Sequence, residues 1–234
     1  YIVPSKGLTS DGDKEKVLAN GTVDAKYADR SVERLEFRIP KQTIFKADLM
    51  ILDIAAHFNW DRPLYFASSA GSTTYMGLDK YFFAEGLVYK LVPIQAQRNR
   101  NPNSLGEVNK DKMFENLVYN FKWGNMEDED VLVDYYTRRL TNNYRVQFSV
   151  LADAYVEEIE DAKQRMAILQ QIQTQDGPED QIIKTPVGDF KKSEVPMEMA
   201  KAQMIIDSNS VKVNQVLDKS FEIMPEYNVP FGRV

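Results

Sequence analysis

Cysteine is absent from the 234 residues, which excludes disulfides, thiolate nucleophiles and cysteine-ligated metal centres. Histidine occurs once, at His57; one imidazole without a thiol is too little for a transition-metal site. Positive charge is also short. The 29 Lys and Arg stand against 35 Asp and Glu, for a net charge of −6. That balance gives no general attraction for a phosphate backbone, so nucleic acid is not an expected partner. No apolar run approaches the ~20 residues of a membrane helix. The longest, Leu49 to Phe58, is interrupted by Asp53 and His57. The N-terminus has no basic-then-apolar signal pattern. No P-loop, G-x-G-x-x-G or G-x-S-x-G occurs. From Asp11 the chain opens like an EF-hand loop with Asp11, Asp13 and Glu15, but Lys16 stands where glycine is required and Thr22 where the bidentate Glu belongs. No cofactor and no metal is expected.

What is present is an ordinary globular composition, 43% hydrophobic and 27% charged, long enough for one large domain or two small ones. Leu35, Phe37 and Ile39 alternate with charged residues, the period of a half-buried strand ended by Pro40. From Lys46 to Asn59 apolar residues cover most of a helix surface, which predicts a helix buried against a sheet. Leu49, Leu52, Ile54, Ala55 and Phe58 are its expected core residues. Pro63 turns the chain into a short strand, Leu64 to Ala67. A second helix is expected over Tyr75 to Glu85 with Gly86 as its C-cap, then a strand within Leu87 to Ile94. Residues 95–110 are a polar loop, and Asp111 to Phe121 carries helical spacing.

After Gly124 strand signals stop. The acidic run Glu127 to Asp130 is expected to favour the positive end of the next helix. Faces marked by Tyr144, Phe148, Leu151, Ala152 and Tyr155, then by Met166, Leu169 and Ile172, predict one helix pair. A polar link, Gln175 to Ser193, leads to a second pair near Pro196 to Asp207 and Val211 to Met224. Two pairs with Pro225 after the last resemble tetratricopeptide hairpins. The predicted architecture is an α/β domain over 1–124, with a small parallel or mixed sheet and helices, followed by an all-α, tetratricopeptide-like helical hairpin region over 125–234.

No residue is expected to be catalytic. Lone His57 reads as a packed structural residue. Gly71, Ser72, Thr73 and Thr74 read as a capped turn. Asp53, Asp79 and Glu85 lie near the apolar segments, where helix caps and ion pairs explain them as well as sugar chemistry does. Trp60, Arg62 and Tyr65 are candidate binding residues around the Pro63 turn. The turn is expected to be architectural, with Trp60 packed inward and Arg62 paired with a carboxylate or carbonyl; an open sugar platform at the Trp60 ring is the competing reading. Tyr135, Arg138, Arg139, Tyr144 and Arg145, with Tyr136, are candidates for a protein or peptide interface, because exposed Tyr and Arg are favoured there.

Three segments, N-W-D-R-P-L-Y-F-A (Asn59 to Ala67), G-L-D-K-Y-F (Gly77 to Phe82) and E-G-L-V-Y-K-L-V-P-I (Glu85 to Ile94), resemble the C-terminal soluble region of a family of large multi-spanning membrane proteins common in Bacteroidetes. N-F-K-W-G-N-M (Asn120 to Met126) and T-R-R-L-T-N-N-Y-R-V-Q-F (Thr137 to Phe148) are similar to it as well. The N-terminal membrane domain of that family is similar to protein O-mannosyltransferases. The resemblance implies glycosyl transfer in the membrane part, at an acidic residue outside this chain, and a soluble region on the periplasmic face of the inner membrane. It implies the membrane-embedded part of the same protein as a partner, with an acceptor protein or peptide as a further one. On that reading the chain, which starts at Tyr1 in the style of an interior segment, is non-catalytic and binds acceptor or partner subunits, or braces the membrane part. The alternative is a free-standing carbohydrate-processing enzyme using carboxylates of the α/β domain.

Overall fold

The computed structural model describes residues 5–6, 11–97, 100–174, 178, 180 and 182–231. The chain start at Tyr1 and much of the polar stretch 175–181 lie outside them. Two compact units emerge: Tyr1–Phe121 with Asn142–Gln147, and Lys122–Thr141 with Phe148–Val234.

The first unit carries strand β1 (Ser5–Lys6), helix α1 (Asp11–Ala19), strand β2 (Arg34–Leu35), helix α2 (Lys46–His57), strands β3 (Leu64–Ala67), β4 (Phe82–Ala84), β5 (Val88–Leu91) and β6 (Glu107–Val108), and helix α3 (Lys110–Phe114). A π-helical turn, Glu115–Asn120, continues α3. Strands β3 to β6 form a four-stranded mixed sheet in the order β3-β5-β4-β6. Both neighbours of β5 run antiparallel to it, and β4 and β6 run parallel. The sheet's apolar side is aromatic. Phe66, Tyr75, Phe82 and Tyr89 meet with ring centroids 5.0–6.0 Å apart, spacings at which ring pairs add to burial. Leu35 and Phe37 are buried as their alternation predicts, and the Tyr81 hydroxyl grips the same segment by bonding both Glu36 backbone groups at 2.8 and 3.1 Å. Opposite the sheet edge, Arg30 forks onto Glu107 of β6 with bonds of 2.9 and 2.6 Å.

Two sequence expectations change here. Tyr75 to Glu85 is not a helix but two 3-10 turns (Ser72–Tyr75, Asp79–Tyr81) leading into β4. Met76 and Gly77 hold φ of 55° and 82°, and consecutive positive φ values end a right-handed helix. A Cβ on Gly77 would stand 2.2 Å from the Arg38 carbonyl oxygen, so glycine is what lets the two segments approach. Gly86 caps no helix either; it sits with φ 111° in the turn joining β4 and β5, closed by Glu85 N–H donating to Val88 at 3.0 Å.

The larger change concerns α2. The helix forms where expected, and at its start Asp48 accepts from Phe45 N–H at 3.0 Å and from Lys41 at 2.6 Å. These bonds, Lys41's first, hold the Asp48 carboxyl below its usual range. Burial meets the expectation at Ala55 and departs from it most at Leu49 and Ile54. Ala55 and Asp48 are buried, Leu52 and Phe58 are half-buried, and Leu49 and Ile54 are 56% and 49% exposed. The aromatic cluster and the 34–38 segment already fill the sheet's apolar side. His57 is exposed too, 3.2 Å from Asp53 one turn back, rather than packed.

Tyr75 supplies a pH prediction. Its hydroxyl shares its one proton between the Ala67 and Ser68 carbonyls, 3.0 and 3.1 Å away, and burial pushes it up to about 12 from 10.0. A raised tyrosine favours the folded state while protonated. Its contribution is complete below the unfolded value and is lost as pH rises from about 10 to about 12. Denaturant unfolding across that range is expected to show a slope that Tyr75→Phe flattens, at a cost of ~1 kcal/mol at neutral pH.

The second unit is built on two long antiparallel helices, α4 (Tyr135–Gln173) and α5 (Val195–Ile223), linked through a hairpin of β7 (Ile182–Thr185) and β8 (Gly188–Lys191). The four expected helices are therefore two, and part of the expected polar link is sheet. Nothing between Tyr155 and Met166 breaks a helix. In α5 the polar run Asp207 to Ser210 is helical, with the Ser208 and Ser210 hydroxyls turned back onto the Ile205 and Ile206 carbonyls at 3.3 and 2.6 Å instead of breaking the turn. The start of α4 is capped by Asp134, which accepts from Thr137 N–H at 2.7 Å; the acidic run Glu127 to Asp130 lies in the turns before it.

Candidate functional site

Strand β5 places one lysine in the middle of the sheet. Register sets Lys90 between Tyr65 on β3 and Phe83 on β4. Its side chain is buried, so its charge requires partners. It donates to the Gly21 carbonyl at 2.5 Å and stands 3.5 Å from the Glu85 carboxylate. Glu85, also buried, accepts from Asn109 Nδ2 at 3.2 Å and from the Tyr65 hydroxyl. Burial first, and then the Glu85 charge, raise Tyr65 above the usual phenol value. The same Asn109 nitrogen donates to Asp24 at 3.2 Å. Asn116 closes the set by donating to the Glu85 backbone carbonyl at 2.8 Å.

This is the one place in the α/β unit, among the described residues, where two carboxylates converge through a shared buried side chain. A glycosidase needs its two carboxyls to flank a scissile bond across an open gap of ~5–9.5 Å. Here the Asn109 amide fills the space between Asp24 and Glu85. Glu85 is further occupied by Lys90 and Tyr65, and it is only 4% exposed. The arrangement holds α3, β5, β3 and the loop around Gly21 together; it offers no vacant face to a substrate. A shallow hollow of about 330 Å³ beyond Asn109 is lined by Asp24, Lys26, Asp111, Lys112 and Glu115. Its cations are already answered, Lys26 by Asp111 at 2.7 Å and Lys112 by Glu115 at 2.8 Å. Asn109 Oδ1 is buried and has no partner among the described residues.

The predicted binding residues do not converge on this network, Tyr65 excepted. Trp60 is 1% exposed and packs edge-on against Phe58 with centroids 4.6 Å apart. Trp60 thus packs inward as the architectural reading of the turn expects, and no open ring face is left for the competing sugar platform. Its backbone sits at φ 61°, held by Asn20 Nδ2 donating to its carbonyl at 2.6 Å. Arg62 is exposed and makes no ion pair among the described residues; Asp61, beside it, pairs with Lys16. The tyrosine and arginine set does not form one open patch. Tyr135 and Tyr136 are exposed and touch edge to face at 5.5 Å, with Arg139 exposed and Arg138 half-buried. Tyr144 and Arg145 are half-buried and fall in the short stretch grouped with the first unit.

The helical unit has its own polar feature. Val195, Ala202, Asn209, Val216 and Ile223, seven apart, form the buried seam of α5, the repeat of a coiled coil. The matching seam of α4 runs Phe148, Leu151, Tyr155, Ala162, Leu169 and Ile172, with Glu158 and Arg165 at the intervening seam positions. Asn209 donates to Glu158 at 2.7 Å and Arg165 to Glu198 at 2.5 Å. Small Ala162 and Ala202 leave a cleft of about 540 Å³ there. The heptad spacing of Asn209 among apolar residues was the signal that would have found it.

Fold and network together define a class: a small mixed-sheet module closed by an internal charge network, followed by a two-helix hairpin. Residues 1–112 match the family described as TMEM260-associated domain 2, a stretch that contains Asp24, Tyr65, Glu85, Lys90 and Asn109 but not Asn116. Comparison with curated proteins and with solved structures gave no match.

Proposed function

We propose that this chain is a non-catalytic, periplasmic portion of a membrane glycosyltransferase-like protein related to protein O-mannosyltransferases, where it binds acceptor or partner subunits, or braces the membrane-embedded part. The observation that carries the reading is the closed state of the Glu85 network: the buried charges of the α/β unit are spent on one another. The match of residues 1–112 to a TMEM260-associated domain and the sequence resemblance to the soluble region of such membrane proteins support it. No helix among the described residues is long and apolar enough to cross a membrane. The membrane-embedded part of the same protein is the first partner this reading implies. Tyr135, Tyr136 and Arg139 are the exposed groups of α4 suited to an acceptor protein or peptide.

The rival reading, a carbohydrate-processing enzyme, would use carboxylates of the α/β unit, where Asp24 and Glu85 are the two that share the Asn109 amide. Incubating the purified chain with lipid-linked and nucleotide-linked sugars separates the two. No turnover is expected. Reproducible turnover that Glu85→Gln or Asp24→Asn abolishes in a folded protein would overturn the proposal.

A further inference from the structure

The outward face of α2 is the least explained surface of the α/β unit. Phe45, Leu49, Met50 and Ile54 are 67%, 56%, 59% and 49% exposed. Lys46 and Asp53 lie on the same face and line a shallow hollow with Leu49, Met50 and Ile54. Lys46 forms no ion pair among the described residues, and Asp53 meets only the exposed His57 of its own helix among the ion pairs found. At 100° per residue the positions 45, 46, 49, 50, 53 and 54 cover one half of the helix, and the buried Asp48 and Ala55 lie on the other.

This face is complementary to itself. Reversing the helix about the midpoint between Leu49 and Met50 carries position 46 onto 53 and position 45 onto 54. Lys46 and Asp53 both lie near the centre line of the face, so in an antiparallel pair each lysine stands opposite the aspartate of the other helix. Leu49 and Met50 then meet their own counterparts at the two-fold axis. Phe45 of one helix and Ile54 of the other flank each ion pair on opposite sides and shield it from water. A patch that satisfies its charge and its apolar surface with a copy of itself is the requirement of an isologous interface.

We propose that the outward face of α2 is a self-association surface on which a second copy of this chain packs antiparallel, Lys46 to Asp53. A 12-residue helix is ~18 Å long, so the contact is smaller than a standard interface and the dimer is weak and concentration-dependent. Phe45, Leu49, Met50 and Ile54 are its apolar contacts.

Sedimentation velocity of the full 234-residue chain over a wide concentration series tests it, with circular dichroism confirming the fold of each variant. Lys46→Glu and Asp53→Lys are each expected to weaken dimerisation at least tenfold, by placing like charges face to face. The double exchange, Lys46→Glu with Asp53→Lys, is expected to restore it, and Leu49→Asp to abolish it. A monomer at every concentration would overturn the proposal. So would a dimer indifferent to both single charge reversals, or single reversals that the double exchange fails to rescue. Binding of the monomer to vesicles of neutral or anionic lipid, lost with Leu49→Asp and unaffected by the charge reversals, would assign the face to a lipid surface and overturn it equally.

Discussion

Trp60→Ala is expected to destabilise the protein by ~3–5 kcal/mol, the range for removing a large buried aromatic side chain. The ring is 1% exposed and packs on Phe58, and the turn it anchors is tied down from α1 by Asn20 and Lys16. Collapse of the site is therefore restricted and the cavity persists. Backbone conformation adds a check. At φ 61° a side chain costs ~1–2 kcal/mol that glycine avoids, so Trp60→Gly should recover part of the loss seen with alanine. Chemical denaturation of both variants measures this. A loss under ~1 kcal/mol for alanine would mean that the ring is solvent-facing in solution, and the sugar-platform reading would return.

Lys90→Met is expected to cost about as much, ~3–5 kcal/mol, for a different reason. Methionine fits the stem and loses little packing. What remains is the Glu85 carboxylate, buried without its counter-charge, and the Gly21 carbonyl without its donor. Breaking one side of a buried pair carries that penalty because the other charge stays desolvated. Arg62→Met, by contrast, should be near neutral, since Arg62 is exposed and forms no ion pair among the described residues. Thermal unfolding of the two variants side by side separates a structural cation from a surface one.

Local signals located most elements and failed on partners. Alternation found Leu35 and Phe37, and Pro63 marked the entry to β3. The apolar run of α2 predicted a helix but not its environment, because composition reports how much apolar surface exists and not what is left to cover it. Tyr75 and Phe82 had already filled the sheet. The expected second helix failed at Met76 and Gly77, where a positive φ at a non-glycine residue leaves no composition signature. The charge network was illegible for another reason. Asp24, Glu85 and Asn109 are far apart in the chain; the parallel β4-β6 pairing sets Asn109 beside Glu85, and Asp24 reaches the pair from outside the sheet through the Asn109 amide. The seam of α5 was legible, since its five buried residues recur every seven, yet the polar run Asp207 to Ser210 resembled a break. Asn209 in that run is the seam residue that bonds Glu158.

Glu85 and Lys90, a buried pair in the middle of the sheet, hold the α/β unit together. A double-mutant cycle by denaturant unfolding, with Glu85→Leu, Lys90→Met and the pair combined, tests it most directly. The account predicts two costly single changes and a double variant less destabilised than their sum by ~1–3 kcal/mol, still unfolding in one cooperative step. Single changes that leave stability untouched, or that simply add, would contradict it.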